Sequence, residues 1–257
     1  MKELESKKGF ICDMDGVIYH GSKLLPGAKE FVEWLQKENK DFLFLTNNSQ
    51  KTRKELQLTL QNMGINVLEE HFYTSALATA SFLRKQCPGG SAYVIGDTGL
   101  TNAMYNVGFI MNSVDPDYVV LGETRAYNYE MMVKATQLVM NGAKLIGCNY
   151  DMTGPIDGGI APATRALISP IEMATGKNAY FVGKPNPLMV RHGLNLLGAE
   201  AKDVAFIGDR MDTDIVAGLE AGIDTVLVLS GVTDEKVMKK FAYRPKYILE
   251  TVGDVIK

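Results

Sequence analysis

Two stretches of this chain bring carboxylates together in spacings that suit chemistry. Residues 10–17 read FICDMDGV: apolar residues run into Asp13, a spacer and Asp15, and Gly16 then lets the backbone turn away. Far downstream, FIGDRMDTD places Asp209, Asp212 and Asp214 within six residues. Carboxylates this close repel and raise one another's proton affinity unless a cation or a shared proton intervenes, so the Asp13/Asp15 pair implies a metal, acid/base work, or both. Between them, DFLFL delivers Thr46, Asn47, Asn48 and Ser49, and YFVGKP offers Lys184. The set holds carboxylates, a hydroxyl and one ammonium, and its oxygens are hard ligands. It suits magnesium, which takes one or two carboxylates, several waters and substrate phosphate. An EF-hand does not fit, because its glycine belongs at the sixth loop position and Gly16 comes fourth from Asp13. Walker A and dinucleotide glycine fingerprints are missing.

These residues need a scaffold that gathers them. FICD reads as a buried strand, and an alternating strand points Asp13 and Asp15 to one side with Met14 on the other. AKEFVEWLQKENK has helical spacing of Phe31, Val32, Trp34 and Leu35, the Phe42–Leu45 run is a second strand, a helix over 52–63 ends at Gly64, and a short strand is expected near Val67. SALATASFLRKQ, residues 75–86, reads as a helix before the turn cluster Cys87-Pro88-Gly89-Gly90. A second alternation follows: AYVIG, TNAMYNVG, YVVLG, YEMMVKATQLVMNG and KLIGC. Asn149–Pro162 is expected to be a glycine-rich loop, and Pro170 to kink or restart the helix of ATRALISPIEMATG. The chain closes with VAFIGDRMDTD, the helix IVAGLEAG and DTVLVLSG. In a doubly wound sheet the carboxyl ends of parallel strands share one edge, so Asp13/Asp15, Thr46/Asn47, Lys184 and Asp209/Asp214 converge there.

Taken singly, each piece has a plainer reading. Thr46 suits a helix cap, Asn47-Asn48-Ser49 a turn, Lys184 an exposed lysine, and Asp97 and Asp214 helix N-caps. His20, His71 and His192 have no mutual spacing that suggests a ligand set, Cys12 reads as a small buried strand residue, and Met131, Met132, Leu138 and Val139 as a core stripe. A net charge of -3 gives no polyanion-binding surface, so nucleic acid is not expected as a partner. No apolar run is long enough to span a bilayer and MKELESKK leads into no signal-like segment, which excludes a membrane partner and, with three scattered cysteines, points to the cytoplasm.

In this order, DMDGV, TNN, GKP and GDRMDTD resemble the four motifs of the haloacid dehalogenase superfamily of phosphohydrolases, most similarly its NagD-like phosphatase group, over nearly the whole chain. The resemblance implies a doubly wound α/β core with an inserted α/β cap. It makes Asp13 the nucleophile that forms an aspartyl-phosphate and Asp15 the acid/base; dehalogenases of the superfamily lack that second aspartate. Thr46 and the Asn47 and Asn48 amides would hold the phosphoryl oxygens and Lys184 would neutralise charge. Mg2+ would be held by Asp13, the Asp15 carbonyl and Asp209, with Asp214 orienting the shell. Roughly thirty residues separate Asp15 from Thr46 but well over a hundred separate Thr46 from Lys184, so the insert follows the second motif. The expected division is 1–80 and 180–257 as core and 81–179 as cap, where the polar segment CNYDMTGPIDGG, with Asp151 and Asp157, could face a leaving group.

The function expected is a magnesium-dependent phosphatase of small phosphomonoesters such as a sugar phosphate or nucleoside monophosphate. Alternatives are a phosphorylatable receiver-like module, which the length and Asp15 oppose, or a phosphotransferase. Homo-oligomerisation is left open.

Overall fold

The structure is a computed structural model that describes residues 2–156 and 158–257. The chain divides into two compact units. One comprises the chain up to Thr46, Leu56–Tyr73 and Lys184–Lys257; the other comprises Asn47–Glu55 and Thr74–Gly183.

A six-stranded sheet organises the first unit, in the order Tyr247–Leu249, Asp224–Val228, Val204–Gly208, Gly9–Cys12, Asp41–Thr46, Phe72–Thr74. Gly9–Cys12 lies centrally and pairs in parallel with both neighbours, Cys12 standing opposite Ile207 and Phe44. All four of its residues are buried, as a strand covered on both faces requires. The helix Ala28–Lys37 covers one face with Phe31, Val32 and Leu35, and Phe10 meets Phe31 and Trp34 edge-on at 5.7 Å. Just beyond that helix, Asn39 adopts a left-handed φ of 50°.

The second unit has its own parallel sheet, ordered Tyr180–Phe181, Lys144–Gly147, Tyr118–Leu121, Ser91–Ile95, Ile110–Met111. The helices Thr98–Asn106, Tyr129–Met140 and Thr164–Thr175 alternate with these strands. Leu138 and Val139 are buried and Met131 and Met132 pack against them, so the methionine stripe is core. Among the described residues no helix is long and apolar enough to cross a membrane.

Three local expectations are corrected. No strand forms at Val67; it is buried in irregular chain whose carbonyl is satisfied by Gln57 Nε2 at 2.8 Å, and the strand comes later, at Phe72–Thr74. Pro170 starts no new helix: one helix runs from Thr164 to Thr175 with the proline inside it. Its neighbours Ile168 and Ile171 are fully buried and an Arg165–Glu172 ion pair spans the proline, so packing overrides the missing donor. The loop expected over Asn149–Pro162 contains an antiparallel hairpin, Thr153–Ile156 with Gly159–Pro162; Asp157 lies outside the described residues.

Away from the acidic clusters, Asp224 bridges Lys7 at 2.6 Å and Lys246 at 2.8 Å. Burial pushes its carboxyl upward, but the hydrogen bonds to Lys246 and Lys7 win and hold it below the usual range. A lowered folded pKa stabilises above the unfolded value and is lost as pH falls through the folded one. Asp224→Asn is therefore expected to lower Tm at pH 7, with the gap to the unmodified protein closing only below about pH 4, as thermal melts across pH would record.

Candidate active site

The strand Gly9–Cys12 ends one residue before Asp13, whose amide still donates to Ile207 O at 2.9 Å. That last ladder bond fixes Asp13 at the carboxyl end of the central strand. The chain then turns within Met14–Tyr19, the amides of Val17, Ile18 and Tyr19 all donating to Met14 O. Gly16 sits in the turn with φ at 81°, where a Cβ would also collide with the Asp209 carboxylate.

Asp13, Asp209 and Asp214 bring one carboxylate oxygen each within 4.8 Å of the others, a grouping able to hold a metal ion. Lys184 Nζ stands among them, 2.8 Å from Asp13 Oδ1 and 2.7 Å from Asp214 Oδ1, and also donates to Leu45 O at 3.2 Å. All four side chains are buried, Lys184 to 1 % exposure, so the exposed lysine its sequence context suggests is not what forms. Burial disfavours its charge, but the two carboxylates outweigh that and raise its proton affinity. Burial is likewise the main cause that lifts Asp13 to about 7, Lys184 opposing and Asp214 adding to it, and Asp209 to about 8 with Asp214 and Asp13 contributing. One ammonium against three carboxylates leaves excess negative charge, and Asp209 Oδ1 is buried without a hydrogen-bond partner. A divalent cation fits both conditions, and three oxygen donors suit magnesium.

The segment after Val204–Gly208 is shaped for its acids. Asp209 Oδ2 accepts from Val232 N at 2.7 Å, and Asp214, in a π-helical turn over Met211–Ile215, accepts from the amides of Asp209 and Arg210 at 3.2 and 3.0 Å. Asp212 turns out to Arg210, at 2.9 Å, and takes no part. Asp214 is thus not a helix cap but a buried acceptor.

Lys184 reaches this cluster by an unexpected route. The strand before it, Tyr180–Phe181, pairs with Lys144–Gly147 in the second unit's sheet, and Lys184 enters the first unit just ahead of the helix Pro187–Leu197. It is not a strand-end residue of the sheet that carries Asp13.

Asp15 diverges from the expected pair. It lies in the turn, partly exposed, and its carboxylate meets His20 Nδ1 at 3.1 Å rather than pointing into the acidic cluster. His20 belongs to a small hairpin, Tyr19–His20 with Lys23–Leu24. The intervening Gly21-Ser22 is a two-residue hairpin turn signal, and it is this turn that brings His20 back to Asp15. His71, bonded to Phe42 O and stacked on the Phe42 ring, is structural, and His192 pairs with Tyr73 Oη at 2.7 Å.

Thr46 ends the strand Asp41–Thr46 and is buried. Beyond it, Asn47 Nδ2 donates to Asp151 Oδ2 at 2.8 Å, while Asn48 Oδ1 accepts from the amides of Gln50 and Lys51 at 3.1 and 2.9 Å. Asn48 thus braces its own loop, while Asn47 reaches Asp151. Asp97 stands at the N-cap of Thr98–Asn106, but its carboxylate accepts from Gln50 Nε2 at 3.2 Å instead of capping.

A central parallel strand delivers a buried aspartate, and a lysine and two further aspartates gather around it to make an acidic site able to hold a metal ion in an α/β scaffold. Comparison with known proteins identifies the family. Residues 10–110 match the family described as haloacid dehalogenase-like hydrolase, and residues 181–255 a second described as HAD-hydrolase-like. The chain is 43% identical over 246 residues to a dihydroxyacetone phosphatase of Corynebacterium glutamicum, covering 96% of this chain and 90% of that protein. It is 40% identical over 248 residues to the ribonucleotide monophosphatase NagD of Escherichia coli, covering 96% and 98%. The solved structure of NagD from E. coli superposes with a TM-score of 0.92, covering 98% of this chain and 100% of that one. A 4-nitrophenylphosphatase from Thermotoga maritima gives 0.94 at 33% identity, covering 98% and 97%. The chain belongs to the haloacid dehalogenase-like hydrolases and is a hydrolase of phosphoric monoesters.

Proposed function

We propose that this chain is a magnesium-dependent phosphatase that works through an aspartyl-phosphate on Asp13, with residues 1–80 and 180–257 as catalytic core and 81–179 as the cap that selects substrates. The observation that carries the reading is the buried Asp13–Lys184–Asp214 arrangement beside Asp209. Asp13 Oδ attacks phosphorus as the bond to the leaving oxygen breaks, and Asp15 gives that oxygen its proton. A water then attacks the phosphorus, Asp15 takes the water's proton, and the acyl-phosphate bond breaks to return Asp13 and inorganic phosphate. Lys184 offsets negative charge at the attacking carboxylate. Thr46 Oγ1 and the Asn47 and Asn48 amides hold the phosphoryl oxygens. Magnesium would be held by Asp13, the Asp15 carbonyl and Asp209, with Asp214 behind them, and would supply charge neutralisation of the phosphoryl group. The division between the two acids has physical support: Asp13 is buried against an ammonium, whereas Asp15 is partly open to solvent.

The substrate class proposed is a small phosphomonoester, with sugar phosphates, nucleoside monophosphates and the phosphate of dihydroxyacetone as candidates, because relatives are named acid sugar phosphatase, ribonucleotide monophosphatase and dihydroxyacetone phosphatase. The free cysteines Cys12, Cys87 and Cys148 suit a reducing compartment, and the cytoplasm is the setting we propose. Phosphate release from a panel of these esters, ranked by kcat/KM with and without magnesium, tests the reading. One class is expected to stand at least about tenfold above the rest, a difference of about 1.4 kcal/mol in transition-state binding. Activity that is uniform across the panel and indifferent to metal would overturn it.

Gly231 gives an independent check on the metal. A Cβ there would collide with the Asp209 carboxylate. Gly231→Ala is expected to raise the magnesium concentration needed for half-maximal activity at least about tenfold, on the scale of disturbing a ligand's immediate support, while the esters keep their order.

A further inference from the structure

The carbonyl of Asn47 is held twice. Ser75 Oγ donates to it at 2.6 Å and Asn149 Nδ2 at 2.8 Å, and both donors belong to residues with no solvent exposure. A carbonyl oxygen has two lone pairs, so these two donors fill its accepting capacity. Because the peptide bond is planar and trans, fixing the Asn47 carbonyl also fixes the N–H of Asn48, which lies on the opposite edge of the same plane. The amide end of Asn149 is itself oriented: Nδ2 also reaches Glu123 Oε1 at 3.3 Å, and Oδ1 accepts from Asp151 N at 3.2 Å. Its nitrogen, not its oxygen, therefore faces Asn47. Ser49 Oγ, accepting from Glu123 N at 2.9 Å, ties the next part of the loop to the same strand end.

We infer that Ser75 and Asn149 are positioning residues that preset the Asn48 amide as a donor to a phosphoryl oxygen. Neither touches substrate. The inference rests on the proposal that the Asn47 and Asn48 amides bind phosphate, and it deepens it. Asn47 Nδ2 goes to Asp151 and Asn48 Oδ1 accepts from the loop's own amides, so the side-chain atoms seen to bond here do so within the protein, and the role proposed for the pair is a main-chain one. A loop peptide without such anchors could rotate and present its carbonyl, turning an attractive donor into a repulsive acceptor. Holding the dipole in place before the charge develops is what makes an oxyanion donor effective.

The test uses Ser75→Ala, which removes one hydroxyl, and Asn149→Asp, which keeps the shape but replaces the donor with an acceptor. Each is assayed on an aryl phosphate for kcat and KM, for inhibition by vanadate as an oxyanion probe, for half-saturating magnesium, and for Tm. Expected are losses in kcat/KM of about tenfold for Ser75→Ala and about a hundredfold or more for Asn149→Asp, the scale of disturbing one oxyanion donor. Vanadate affinity should fall by matching factors while half-saturating magnesium stays unchanged. Variants that melt earlier yet keep kcat/KM and vanadate inhibition within about twofold would overturn the inference, because the two hydrogen bonds would then be structural only. Losses that extend equally to magnesium would overturn it too, as general loosening. Failure of the underlying phosphatase mechanism looks different: turnover would survive Asp13→Asn in the otherwise unmodified chain.

Discussion

Asp13→Asn is expected to abolish phosphate release from an aryl phosphate, by about 10⁴-fold or more, the scale of removing a covalent nucleophile, while the protein stays folded. Asparagine keeps the shape and the hydrogen-bonding reach of the aspartate but cannot carry a phosphoryl group through a stable cycle. It also removes one negative charge from a pocket in which Lys184 pairs with Asp13 and Asp214 beside a third carboxylate, Asp209. For that reason Tm without metal should not fall, and the rise in Tm that magnesium gives the unmodified protein should shrink, since one of the three ligands is lost. Steady-state turnover and thermal melts with and without magnesium decide this. Full turnover in the variant would mean that some other group attacks phosphorus.

That experiment rests on residues whose type and spacing are visible in the sequence, and the reason is local. Asp13 is read from the apolar run ahead of it and from the second carboxylate two residues on, a pair whose repulsion something must offset. The acidic triplet at 209–214 shows the same logic, but only geometry separates its members: Asp214 is buried on two amides and a lysine, while Asp212 pairs outward with Arg210. Spacing cannot tell a residue facing inward on a π-helical turn from its neighbour two positions away. Asp15 shows the opposite limit. Strand alternation puts it beside Asp13, but the strand stops at Cys12 and Gly16 redirects the chain, so Asp15 meets His20 instead. Lys184 could be named from GKP, yet not its environment, because the strand before it pairs in the other sheet. Ser75 and Asn149 leave no mark of their own, since a serine at a helix start and an asparagine after a strand are ordinary; only the shared carbonyl of Asn47 reveals them.

Lys184→Met should produce the largest loss of stability of any single change at the site. Methionine fills a similar volume, so packing survives, but Asp13 and Asp214 remain buried without their cation. Breaking a buried pair from one side costs about 3–5 kcal/mol, much more than a surface pair contributes. Two further measurements separate this cause from a simple packing defect. Adding magnesium should recover more Tm in the variant than in the unmodified protein, because the metal then supplies the charge the lysine gave. Adding Asp214→Asn to Lys184→Met should restore part of the lost stability, because the isolated negative charge is removed along with its partner. Turnover should not return in the double variant, since charge at the attacking carboxylate is still not offset. If Lys184→Met melts like the unmodified protein, or if Asp214→Asn only adds to its loss, the lysine is not the electrostatic centre of this cluster and the three carboxylates must be held by protonation instead.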